Sequence, residues 1–143
     1  ILGDLVEEND VVVLVVPVDS AAPKGRLIMP QQQVIRDILD NHAVSVVTQV
    51  PSLAMTLDML GDKVKMVITD SQAFGEVSRI VSTQIPLTSF SILLARQKGD
   101  LAACAAGAAA IGNLKPSSRV LIAEACSRRQ GIDRRRMHSQ ETV

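Results

Sequence analysis

The residues of this chain with chemistry to offer are two cysteines, two histidines and a scatter of carboxylates. Cys126 ends an apolar run that carries Glu124 and opens a polar segment, which favours an exposed thiol. A single thiolate cannot hold an iron–sulfur cluster, which takes four ligands, so taken alone Cys126 reads as an ordinary free thiol. Cys104 lies among alanines and reads as a small buried hydrophobe. His42 and His138 have no partner at a useful spacing, and His42 falls where a helix should end. Asp19, Asp70 and Glu76 follow two strongly apolar stretches, with Ser71 beside Asp70. Open α/β sheets bind ligands at the carboxyl ends of their strands. These residues and the basic turn Lys24-Gly25-Arg26 therefore make one candidate ligand site. The plainer alternative is that the carboxylates cap helices and turns and the basic turn is solvated. No phosphate-loop, dinucleotide or nucleophile-elbow pattern occurs in the 143 residues.

Charge and composition narrow the partners. Arg128, Arg129, Arg134, Arg135 and Arg136 against Asp133 and Glu141 give residues 127–143 a charge of +3, leaving −3 for residues 1–126. Such a tail suggests a nucleic-acid or acidic-partner patch, but without aromatic interleaving or helical periodicity the reading adopted for 127–143 is disorder. The chain has no Trp, no Tyr and only Phe74 and Phe90 to stack on bases, so nucleic-acid binding is disfavoured. No apolar run approaches the roughly 18 residues of a membrane span. The acidic start (Asp4, Glu7, Glu8, Asp10) is unlike a secretory leader. Two cysteines in unlike settings suit a reducing compartment, hence the cytoplasm. The first residue is Ile1 rather than Met, as expected for a piece of something longer.

The elements that position these residues are organised around residues 11–16, an unbroken run of Val and Leu. Such a strand has no polar face, so both faces should be buried, as in the middle of a parallel sheet. Pro17 ends it. A loop over 18–30 leads to a helix that opens at Pro30 and runs to about Asn41, with Val34, Ile35, Ile38 and Leu39 on one stripe. Strands are expected over 43–50, 64–69 and 87–90, with helices from Pro51 to Leu60 and over about 72–81, the latter capped by Asp70 or Ser71. This alternation means right-handed βαβ units. Strands one and three, the most apolar, should be central. Strands two and four, with Ser45, Thr48, Thr88 and Ser89, suit the edges.

The pattern changes near Ser91, where a domain boundary is placed. Residues 96–100 form a polar break, residues 101–111 an Ala-rich helix, and 120–125 a further strand. The fold class is therefore α/β: a small four-stranded parallel sheet flanked by helices, then an Ala-rich helix and one strand of an incomplete second domain. An edge of such a sheet, paired with its copy across a twofold axis, would give an eight-stranded layer. The Ala-rich helix could support a further association.

Six blocks carry a resemblance. They are Asp19-Ser20-Ala21-Ala22-Pro23-Lys24-Gly25-Arg26 continuing to Gln31; Ile35-Arg36-Asp37-Ile38-Leu39-Asp40; and Val67-Ile68-Thr69-Asp70-Ser71-Gln72-Ala73-Phe74. With them go Pro86-Leu87-Thr88-Ser89-Phe90-Ser91-Ile92-Leu93, Lys98-Gly99-Asp100-Leu101 and Leu121-Ile122-Ala123-Glu124-Ala125-Cys126. In this order they resemble the HydF family, the GTPases that help assemble the active-site cluster of FeFe hydrogenase. The family combines a GTPase domain, a dimerisation domain and a domain binding a 4Fe-4S cluster. The resemblance implies that residues 1–90 are the dimerisation domain, 91–143 the start of the cluster domain, and that the GTPase domain is absent. It implies a non-catalytic scaffold fragment that pairs as a homodimer, with FeFe hydrogenase and the other maturation proteins as partners; a tetramer is the further assembly left open. GTP and the 4Fe-4S cluster would be cofactors of the full-length family, not of this fragment. The family's cluster motif begins C-x-H. Cys126 matches its first ligand, Arg128 stands where the histidine is expected, and the later ligands are not present.

Overall fold

The structure is a computed structural model that describes residues 1–18, 26–115 and 117–120. Four strands, β1 (Val11–Val15), β2 (Val44–Thr48), β3 (Val64–Thr69) and β4 (Leu87–Ser89), form one sheet in the order β2-β1-β3-β4. Every neighbouring pair is parallel. The apolar strands β1 and β3 are central and the two that carry hydroxyl residues are at the edges, as the sequence suggests.

β1 buries both faces. Val12, Leu14 and Val16 enter one core with Leu2, Val6, Val34, Ile38, Met66, Ile68, Phe90 and Leu93. Val13 and Val15 enter the other with Leu53, Val67, Val77 and Val81. Successive side chains on a strand point to opposite faces, so an all-aliphatic run serves two cores at once. Helix α1 (Met29–Asp40) covers the first face through Val34 and Ile38; α2 (Leu53–Leu60) and α3 (Phe74–Ile80) cover the second through Leu53 and Val77.

Some boundaries differ from the sequence reading. β2 is shorter than 43–50 because Pro51 turns the chain into a 3₁₀ segment, Val50–Ser52. α3 starts at Phe74, so neither Asp70 nor Ser71 caps it; the preceding turn is closed by the Ala73 N–H on the Asp70 carbonyl (3.1 Å). The chain then enters a helix where a strand end and a polar break were expected. α4 (Phe90–Lys98) follows β4 directly, and the Ser89 hydroxyl caps it by accepting from the Ile92 N–H (3.2 Å). Phe90 and Leu93 of α4 are buried with α1 and β1. The acidic lead-in also packs: Leu2 and Val6 are buried, and Asp37 accepts the Leu2 N–H (2.6 Å).

The Ala-rich helix α5 occupies Leu101–Ile111 and opens on Asp100, whose carboxylate accepts from the Ala103 N–H (3.0 Å). Its residues are exposed throughout. The expected strand over 120–125 and the basic tail lie, apart from Val120, outside the described residues.

Candidate self-association surface

The carboxyl ends of β3 and β4 are closed by polar groups that satisfy one another. Asp70 accepts from the Gln31 side-chain amide (3.0 Å), and the Gln31 carbonyl oxygen accepts from the Ile28 N–H (3.1 Å). Gln31 is buried, so this chain of bonds ties the start of α1 to the end of β3. The Ser71 hydroxyl donates to Ser91 (3.2 Å). Asp70 and Ser71 thus meet α1 and α4; Glu76 and Arg26 are exposed, and Asp19, Lys24 and Gly25 lie outside the described residues. His42 ends α1 in the left-handed region (φ 57), where its N–H donates to Leu39 and its carbonyl accepts from Asn9. Cys104 is exposed, not buried as its alanine neighbours suggested, because α5 is exposed along its whole length, with α4 its main packed neighbour among the described residues. Cys126, Arg128 and His138 lie outside the described residues. Among the described residues no three His, Cys, Asp or Glu side chains are grouped to hold a metal ion.

The edges of the sheet differ. The Val44 N–H donates to the Asp10 carbonyl (2.8 Å), and the Thr48 carbonyl accepts from Val16 N–H (2.9 Å). Backbone groups alternate sides along a strand in a parallel ladder, so Val44, Val46 and Thr48 face β1 and Ser45 and Val47 turn their N–H and C=O outward. Among the described residues, β2 therefore presents two unpaired donors and two unpaired acceptors. Its sequence, Val-Ser-Val-Val-Thr, has no charge and no proline to discourage another strand.

Apolar side chains surround that edge. Val44 is 46% exposed and Val47 49%. On the α1 side, Leu39 is 54% exposed and lies next to half-buried Ile35. On the other side, Thr56 of α2 lies against the end of β2, its hydroxyl 3.0 Å from that of Thr48. Met59, three residues on from Thr56, lies on the same flank of α2 and is 79% exposed, and Met55, one turn before Met59, is 61% exposed. Sequence reasoning did not single out this flank. The available signal was an eight-residue helix with six apolar residues, more than one buried stripe requires.

β4 is a poorer edge. It has three residues, begins just after Pro86, and runs straight into α4. Short edge strands flanked by proline resist pairing.

The fold and this surface define a small doubly wound α/β domain with an open, uncharged, apolar-flanked sheet edge. A family model described as the hydrogen maturase F dimerization domain matches residues 1–99, and the chain belongs to that family. No curated protein matches the chain. The matched span holds the whole sheet and α1 to α4, and the family is one of self-association. No helix among the described residues is long and apolar enough to cross a membrane.

Proposed function

We propose that this chain is a non-catalytic pairing and scaffold portion of a maturase involved in building the FeFe-hydrogenase active-site cluster, and that it forms a homodimer through β2. The observation that carries the reading is the match to a dimerization domain over a unit whose β2 edge is uncharged, open among the described residues and lined by exposed Val44 and Val47. The pairing domain ends after α4, since Phe90 and Leu93 share its core, and α5 begins the region that follows. The protein works in the cytoplasm with FeFe hydrogenase and the other maturation proteins. GTP hydrolysis and the 4Fe-4S cluster belong to other regions of full-length members. Cys126 would be the first ligand of such a cluster, but two cysteines, with Arg128 in the histidine position, fall short of four ligands, so this chain does not hold one stably.

The alternative of a ligand site at the carboxyl ends of the strands draws less support, because Asp70 and Ser71 bond to Gln31 and Ser91. Light scattering tests the preferred reading. Val47→Pro removes only an outward N–H, which an edge strand tolerates, so the protein should stay folded and become a monomer. Leu87→Pro, on the outward side of β4, should leave a dimer. A dimeric Val47→Pro protein overturns the reading.

A further inference from the structure

Resting on that edge-pairing reading, we infer the register of the interface: two copies of β2 run antiparallel with the twofold axis at Val46. A twofold axis perpendicular to the sheet makes the joined strands antiparallel. Residues facing one another must then both turn their backbone groups toward the partner or both away. Three registers satisfy this, centred on Ser45, Val46 or Val47. Neighbouring hydrogen bonds decide among them. Centring on Ser45 would put Val47 opposite Ala43 of the second copy, but the Ala43 N–H already donates to the Ile38 carbonyl (3.1 Å). Centring on Val47 would put Ser45 opposite Gln49, whose carbonyl already accepts from the Ser52 N–H (3.1 Å). Centring on Val46 puts Ser45 of each copy opposite Val47 of the other. It forms four N–H···O bonds and uses every outward group of β2. Val44 then faces Thr48 of the second copy, so all five strand residues are paired. The absence of charge on β2 means that no like charges meet across the axis.

Disulfide trapping tests this on the full chain with Cys104 and Cys126 both changed to Ala. Ser45→Cys, Val46→Cys and Val47→Cys are made singly, oxidised with diamide and run without reductant. Across a non-hydrogen-bonded antiparallel pair Cα atoms lie about 4.5 Å apart, within disulfide reach. Two copies of Ser45, or of Val47, would be offset by two residues and separated by roughly 8 Å, beyond that reach. Val46→Cys should become mostly covalent dimer, and the other two at least several-fold less. Should Val46→Cys fold poorly, the double variant Val44→Cys/Thr48→Cys must cross-link instead. Stronger linkage of Ser45→Cys or Val47→Cys, or no linkage in a particle that scatters as a dimer, overturns the register and leaves pairing intact. A parent chain that scatters as a monomer overturns the pairing reading itself.

Discussion

Single residues at the carboxyl ends of the strands serve the fold. The Thr69 hydroxyl is fully buried and has no hydrogen-bond partner among the described residues. A buried unsatisfied hydroxyl destabilises, and an apolar group of the same shape removes that cost. Thr69→Val should raise stability by about 1 kcal/mol, read as a higher denaturant midpoint with unchanged slope. Phe90 is the largest fully buried side chain and joins α4 to β1. Phe90→Ala should cost about 3–5 kcal/mol, seen in the same experiment. At the rim, Arg96 donates to both carboxylate oxygens of Asp4, one at 2.9 Å. That hydrogen bond holds the Asp4 carboxyl below its ordinary range. A lowered carboxylate stabilises the folded state above the ordinary carboxylate range and loses that contribution as pH falls through the lowered value. The stability difference between the wild type and Arg96→Gln should therefore be present at neutral pH and vanish in strong acid.

At the scale of elements, the strands were legible because burial leaves its period in the sequence. The uniform run at 11–16 could serve only two cores, and the hydroxyl-bearing strands could sit only at edges. α5 matched its expected span because Asp100 caps one end and Gly112 follows the other. α4 was not legible. Ser89-Phe90-Ser91-Ile92 has the alternation of a strand, and only burial of Phe90 and Leu93 against α1 makes it helical. Leu2 and Val6 were hidden by the acids between and around them. Asp70 and Ser71 do follow the end of β3, but spacing cannot show that Asp70 meets Gln31, 39 residues away. The surface that matters was half visible: β2 read as an edge, while the exposure of Met55 and Met59 was not anticipated. Placing charge on that flank tests its part. Met55→Glu/Met59→Glu should leave the circular dichroism spectrum unchanged and weaken the dimer at least tenfold, measured by sedimentation at several concentrations.

For the whole molecule, the claim is that a doubly covered parallel layer leaves one edge unsatisfied and a second copy completes it. The backbone amides of Ser45 and Val47 report on this directly, because both point away from β1. Residue-resolved hydrogen exchange, run at concentrations above and below the dimer dissociation constant, is the decisive measurement. The account predicts that both amides are protected in the concentrated sample to a degree comparable with Val46, and exchange rapidly on dilution while Val46 stays protected. Rapid exchange of Ser45 and Val47 in a particle of dimer mass would contradict it.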